Sequence, residues 1–487
     1  MFLKMARIEG LWRRVTPETW GYTLAKGILP MNSLHVIILA AGEGTRMKSA
    51  LPKVLHPIGG QPMLAHVIDR AGELAPAAIH VVFNPDRPEV QELGSAFPAA
   101  PLHWVPQTER LGTGHAVMQA MPGIPDDADV LVLYGDTPLL DGAALAALRD
   151  AHDTALTLLT MKPADPAGYG RIVRDLAGGV ARIVEERDAD EATRAIGEVN
   201  TGIVLAGAAG LKGWLERLDT DNSQGEYYLT DIVAMAHGDG VTLGSVVAED
   251  ATRLEGANDR VQLAALEARF RRLEAERLML AGATVRDPLR LDVRGRVDVE
   301  RDVILDVNVV LEGDVSLGEG VTVGAGCVIR DSHLAPGTRV HPHSVLEGVT
   351  TRGACDIGPF ARLRPGTDLS AGTRIGNFVE TKNAVLGEGS KASHLSYLGD
   401  STIGERVNIG AGTITCNYDG ANKHRTVIGD DAFIGSDTQL VAPVTVGEGA
   451  TIGAGSTISR DAPDGQLTIS RARQTTIKGW KRPVKGG

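Results

Sequence analysis

The sequence predicts two folds in series: an α/β domain with a largely parallel sheet, then a parallel β-helix. Three observations predict this. From Leu34 to about Ala257, short apolar runs alternate with helix-like stretches, the pattern of βαβ units. From Asp259 to Leu280 the chain is rich in Ala, Leu, Glu and Arg and holds no Gly or Pro, as a long helix requires. After Gly282, apolar residues return about every six positions and are usually followed by Gly or Asp, the phase of hexapeptide solenoids. The expected division is residues 1–32 as an N-terminal extension, 33–258 as the α/β domain, 259–281 as a helical linker and 282–487 as the repeat domain with a basic tail.

The stretch MFLKMARIEGLWRRVTPETWGYTLAKGILP carries charges throughout and no continuous apolar core, so it does not read as a signal peptide. It reads as an upstream extension, expected to be disordered, with a targeting or partner arm as the alternative. The runs HVIILAA, IHVVF, DVLVLYGD, ALTLLT and VTLGSVV are expected as strands. MLAHVIDRAGEL and DGAALAALRDAH are expected as helices. In such sheets ligands bind beyond the carboxyl ends of the strands. Leu263, Leu266, Phe270, Leu273, Leu278 and Leu280 recur near helical spacing. The repeats continue through LGEGVTVGAGCVI, IGERVNIGAGTI and IGDDAFIGSDTQLVAPVTVGEGATIGAGSTI. A β-sandwich would instead give alternation and variable spacing. The phase breaks near SYLGD and NYDGANKHR, which read as loops leaving the coil, where function usually sits.

Composition narrows the classes. A chain of 487 residues is too long for one ordinary core. With 59 glycines and only 4% aromatics it has many turns and few bulky anchors. A net charge of -12 repels phosphate backbones, so no nucleic-acid partner is expected. No run approaches the roughly 20 apolar residues of a membrane helix, so no membrane partner is expected either. Cys327, Cys355 and Cys416 form no CxxC pair, which signals neither a zinc site nor a disulfide framework and fits a reducing compartment.

LAAGEGTRMKSALPK ends the first strand with two glycines one residue apart. A dinucleotide fingerprint would need a third glycine where Met47 stands, and a Walker loop needs Gly-Lys-Ser/Thr. Neither applies. Gly42 and Gly44 can still turn the backbone sharply and bring N–H groups to a ligand. Arg46 and Lys53 can face phosphate oxygens. The bland alternative is a strand-to-helix turn with two solvated cations. Asp136 follows the strand of LYGDTPLL, where a carboxylate can hold Mg2+. Gln107, Gly112 and Thr113 in QTERLGTGHA suit the edge of a base. GYGRI, IVEERDA and VNTGI follow in order.

Taken together, these motifs resemble sugar-nucleotide pyrophosphorylases. With the repeats added, residues 33 to 483 resemble the bacterial bifunctional enzymes that join an N-acetylglucosamine-1-phosphate uridyltransferase to a glucosamine-1-phosphate N-acetyltransferase. The resemblance implies a Rossmann-like nucleotidyltransferase domain and a left-handed β-helix. It implies UTP and acetyl-CoA as co-substrates, Mg2+ as cofactor, a homotrimer, and a cytoplasmic role in making UDP-N-acetylglucosamine for peptidoglycan and lipopolysaccharide. By motif, Leu39, Ala40, Ala41, Gly42 and Lys53 should contact the nucleotide, with Arg46 on the triphosphate. Gln107, Gly112 and Thr113 should read uracil. Tyr134, Gly135, Gly170, Glu185 and Asn200 should surround ribose and sugar. Asp136 and Asn258 should hold Mg2+. Glu43 stands at a position that varies in the family and takes no role.

In the repeats, Arg364 of ARLRPG and Lys382 of NFVETKNA are cations with no obvious partner, suited to a sugar phosphate. His394 and Tyr397 lie on one phase break, Asn417 and Tyr418 on the other. A lone histidine is usually a polar turn residue. The resemblance makes His394 the general base for amine acetylation, a role that histidine as a residue type suits. It implies Arg364, Lys382, Tyr397 and Asn408 for the sugar phosphate, and Ala411, Asn417, Tyr418, Ser436, Ala454 and Arg471 for acetyl-CoA. Cys416 reads as a packing residue. The tail SRARQTTIKGWKRPVKGG reads as a solvated end, or as a contact to the CoA phosphates of a neighbouring chain.

Overall fold

The computed structural model describes residues 32–483; the expected extension before them lies outside the described residues. The chain divides into two compact units, one ending at Phe270 and the other beginning at Arg271.

In the first unit the apolar runs form strands, buried on both faces at the centre of the sheet and half-exposed at its edges. These are β1 (Leu34–Leu39), β2 (Ala78–Phe83), β3 (Leu102–Pro106), β4 (Asp129–Tyr134) and β5 (Leu156–Met161), followed by β6 (Arg171–Arg174), β7 (Val180–Val184), β8 (Val199–Gly207) and β9 (Leu243–Val247). The sheet order is β9-β5-β8-β4-β1-β2-β3, with β6 paired to β8 and β7. The β1–β2, β1–β4, β2–β3 and β5–β9 pairs are parallel. β8 runs antiparallel between β4 and β5, an inversion that the motif VNTGI did not announce. Helices α1 (Met63–Gly72), α2 (Thr113–Ala120), α3 (Gly142–Asp150), α4 (Ala208–Leu215) and α5 (Asp231–Gly238) supply apolar faces to this core.

Helix α6 (Arg260–Leu280) contributes to two cores. In the first unit, Leu266 packs with Ile58, Met63, Leu139 and Ala257, and Phe270 joins them. In the second, Ala275 and Leu278 belong to the β-helix core. The compact units therefore part inside the helix, between Phe270 and Arg271.

The second unit is a parallel β-helix. Leu305, Val323, Val340, Ile357, Ile375, Ala392, Ile409, Ile434 and Ile452 are successive register partners on one sheet, and all are buried. This inward column is what the six-residue phase encodes: three short strands and three turns make one coil. One expected break is absent. SYLGD does not leave the coil, because Tyr397–Ile403 is a strand paired with Glu380–Leu386. NYDGANKHR does leave it, as a hairpin bridged between Tyr418 and Lys423. No helix among the described residues is long and apolar enough to cross a membrane.

Candidate functional site

In the first unit the candidates gather at the carboxyl ends of β1 and β4. Leu39 and Tyr134 are register partners, and the Gly135 N–H donates to Leu39 O. Beyond them the chain turns through Gly42 and Gly44. Gly44 takes a left-handed φ of 62°, as a turn glycine should. Gly42 does not, and a Cβ there would stand in open space, so the turn itself does not demand a glycine at that position. Arg46 is exposed in the short turn Thr45–Met47. Glu43 pairs with Arg110 at 2.7 Å.

Lys53, Asp136 and Asn258 converge. Lys53 Nζ donates to Asp136 Oδ2 at 2.5 Å and to Asn258 Oδ1 at 3.3 Å. Two oxygens aimed at one point fit a hard divalent cation that completes its shell with phosphate oxygens and water. No cluster of three or more His, Cys, Asp or Glu suited to a metal exists among the described residues.

Gln107 is buried, and its side-chain amide reaches Gly112 O and His115 Nδ1. Gly112, at φ 113°, lies so close to the 226–229 segment that a Cβ would meet Tyr227 O at 2.5 Å. Thr113 opens α2 and accepts from the Leu229 N–H. The segment Glu226–Leu229 thus braces the turn that would read a base, a role the sequence reading missed. A cleft of about 600 Å³ opens behind this turn, lined mainly by apolar residues such as Leu111, Met118, Met121 and Leu215. It contains none of the candidate residues.

The Tyr134 ring lies against Gly202. Burial, with the Glu185 and Asp136 carboxylates nearby, pushes its phenol well above the usual range. Glu185 accepts from Thr230 Oγ1 at 3.0 Å. Burial and the charges of Asp231 and Asp188 raise its carboxyl despite that bond. Asn200 receives the Gly202 N–H and donates its own backbone N–H to Gly170 O. Tyr134, Asn200 and Gly170 are therefore joined through Gly202 and one backbone bond, and Glu185 Oε2 lies 3.4 Å from where a Cβ on Gly170 would be.

In the second unit the coil's register sorts the candidates into two columns. Ile375, Ala392, Ile409, Ile434 and Ile452 are successive partners. Asn377, His394, Ala411, Ser436 and Ala454 each follow two residues later, at the same corner. His394 Nδ1 lies 2.9 Å from Asn377 Oδ1. With that oxygen accepting, Nδ1 carries the proton and Nε2 keeps its lone pair toward solvent. At the far end Arg471 donates to Ala454 O at 2.6 Å.

The second column is Arg364, Lys382 and Gly399. Here an expectation fails. Arg364 pairs with Glu380 at 2.9 Å, and Lys382 stands 4.0 Å from Asp400. The partners lie about one coil away in sequence, so only the fold brings them together. A third cation, Lys423, arrives on the inserted hairpin. Its ammonium is lowered by its contact with Lys382 and by that lysine's charge. Burial opposes the charge of Asp400. Hydrogen bonds from Asn383 and Asn417, with the Lys382 and Lys423 charges, outweigh it and hold the carboxyl below the usual range. Asn417 is thus buried against Asp400, while Tyr418 is exposed. Tyr397 folds its hydroxyl over Gly399. Asn408 stands apart, on the other sheet between Lys391 and Phe433. Cys416 is partly buried, and burial raises its thiol.

Residues 36–199 match the MobA-like NTP transferase domain, and residues 425–460 match the bacterial transferase hexapeptide (six repeats). The chain is 56% identical to the bifunctional protein GlmU of Alkalilimnicola ehrlichii, over 93% of this chain and 97% of that protein. It is 57% identical to the protein of the same name from Stenotrophomonas maltophilia, over 93% and 99%. For that of Marinobacter nauticus the values are 54%, 93% and 100%.

Proposed function

We propose that this chain, which belongs to the bifunctional GlmU family, carries out two transfers on one sugar phosphate. In the second unit acetyl-CoA acetylates glucosamine-1-phosphate. In the first, the N-acetylglucosamine-1-phosphate so formed takes UMP from UTP, giving UDP-N-acetylglucosamine and pyrophosphate. The supporting observation is the presence of two chemically distinct stations: Lys53 with Asp136 and Asn258, and Asn377–His394 heading a column toward Arg471.

For acetylation, His394 Nε2 takes a proton from the sugar amine as its nitrogen bonds the thioester carbonyl carbon. The C–S bond breaks, and the proton leaves with the CoA sulfur. Arg364, Lys382 and Lys423 bind the sugar phosphate with Tyr397. Asn408 joins them from another subunit of a homotrimer. Ala411, Ser436, Ala454, Arg471, Asn417 and Tyr418 line an extended path for CoA. The trimer is supported by Phe360, Phe378 and Leu395, apolar yet 49%, 57% and 61% exposed, the last next to His394.

For uridylyl transfer, a phosphate oxygen of the sugar attacks the α-phosphorus of UTP and the bond to pyrophosphate breaks. The protein's work is alignment and charge neutralisation. Arg46 and Lys53 face the phosphates beside the Leu39–Gly42 turn. Gln107, Gly112 and Thr113 read uracil. Tyr134, Gly135, Gly170, Glu185 and Asn200 hold ribose and sugar. Asp136 and Asn258 would hold Mg2+, which when bound neutralises phosphate charge. UTP and acetyl-CoA as substrates put the enzyme in the cytoplasm, without nucleic-acid or membrane partners.

The test is a product assay on the purified chain and on His394→Ala, given glucosamine-1-phosphate, acetyl-CoA, UTP and Mg2+. The variant should make no UDP-N-acetylglucosamine until N-acetylglucosamine-1-phosphate is added. A variant matching the wild type from glucosamine-1-phosphate would remove His394 from the reaction.

A further inference from the structure

Lys53 is engaged by two side chains of its own chain. Its ammonium donates to Asp136 Oδ2 at 2.5 Å and to Asn258 Oδ1 at 3.3 Å. These are the two oxygens a divalent cation would take. One positive charge therefore stands where the metal's charge would stand, and the two cannot share the same oxygens.

The placement is built into the chain. The Lys53 stem passes Gly44 so closely that a Cβ there would lie 2.5 Å from Lys53 Cβ. Asp136 Oδ2 lies 3.0 Å from where a Cβ on Gly256 would be. Asn258 is fixed by its backbone N–H, which donates to Gln262 Oε1 at 2.7 Å. The Lys53 and Asp136 side chains are each only 15% exposed, so the carboxylate would lose a needed partner if the lysine left with nothing to replace it.

We propose that Lys53 closes the metal seat in the substrate-free enzyme, and that the nucleotide's triphosphate opens it by drawing the ammonium onto its own oxygens. The metal then binds with the nucleotide rather than before it. A triphosphate offers several charged acceptors against one carboxylate and one amide, so the exchange runs toward the phosphates. It also delivers the additional oxygens that the protein does not supply for a hard cation. The seat is kept from collecting a stray divalent ion while the enzyme waits. This rests on the uridylyl-transfer reading of the first unit.

The experiment is a Mn2+ titration of the full chain, followed by electron paramagnetic resonance, with and without the α,β-methylene analogue of UTP. The wild type should leave Mn2+ free without the analogue and bind it with the analogue, beyond what the analogue binds alone. Lys53→Met should bind Mn2+ without nucleotide at least about 10-fold more tightly than the wild type. Tight binding by the nucleotide-free wild type would overturn the proposal, as would equal binding by Lys53→Met. A second measurement needs no variant. Anomalous scattering from wild-type crystals soaked in Mn2+ should show an ion at Asp136 and Asn258 only when the analogue is present, with Lys53 Nζ displaced. An ion there without the analogue would overturn the proposal. Asp136→Asn separates the two levels: if analogue-dependent Mn2+ binding survives it unchanged, the site reading itself falls, and the proposal with it.

Discussion

Acid should loosen the first unit through three stacked histidines far from any proposed chemistry. His35, His80 and His103 stand on β1, β2 and β3. The ring centroids are 5.4 Å apart for the first pair and 5.2 Å for the second. His35 Nδ1 and His80 Nε2 are 3.1 Å apart and share one proton. Burial, then the charges His35 and His103 would carry, lower His80 from 6.5 to about 4. Burial and His103 also lower His35. A histidine depressed in the folded state contributes full stability above its unfolded value and loses it as pH falls toward the folded value. The window is therefore pH 6.5 down to about 4. For His80 alone, linkage makes the loss about 2 kcal/mol between pH 7.5 and pH 5, a large share of a typical domain's margin. The assay is urea unfolding at both pH values, with hydrogen exchange resolved over residues 34–39 and 78–83. His80→Gln should flatten the difference by about that amount. If His80→Gln and the wild type lose the same stability on acidification, the reasoning is wrong.

Three further outcomes are expected. Gly44→Ala should cost about 1–2 kcal/mol in the left-handed turn. It should also push the Lys53 stem off its path and lower uridylyl transfer by about 100-fold, with acetyl transfer unchanged when the two are assayed separately. Asn377→Ala should lower acetyl transfer by about 10-fold or more by freeing the His394 ring. Asn377→Asp should restore much of the rate and move the acid limb of the pH profile upward, since a carboxylate favours the imidazolium; an unmoved limb would deny the contact. Lys423→Met should raise KM for glucosamine-1-phosphate while leaving kcat nearly unchanged, and a steady-state titration of that sugar checks it.

What could be read from the sequence depended on whether a residue's partner lay within its own periodicity. Apolar runs such as HVIILAA and IHVVF announced their strands because burial on both faces needs little else. The inward column from Leu305 to Ile452 was equally legible, since every coil repeats the same demand. β8 was not, because Asn200, Thr201 and Gly202 interrupt its apolar run, and the register shifts there. SYLGD looked like a turn because Gly399 and Asp400 are turn residues elsewhere. In the coil, Gly399 is the gap that the Tyr397 hydroxyl covers, and Asp400 is the acceptor for Asn383 and Asn417. Arg364 seemed unpaired because Glu380 is remote along the chain. In a solenoid, however, a neighbour is reached by adding one coil: that step takes Arg362 to Glu380, and Arg364, two residues along the same face, reaches Glu380 diagonally. That arithmetic could have found the partner. It could not have found Lys423. The hairpin that carries it lengthens one coil, so that Ser401 pairs with Thr426, and a residue on an insertion has no register to be counted from. The cation that stands beside Lys382 is thus the one that only the folded hairpin could place, although its neighbours Asn417 and Tyr418 had already marked the segment.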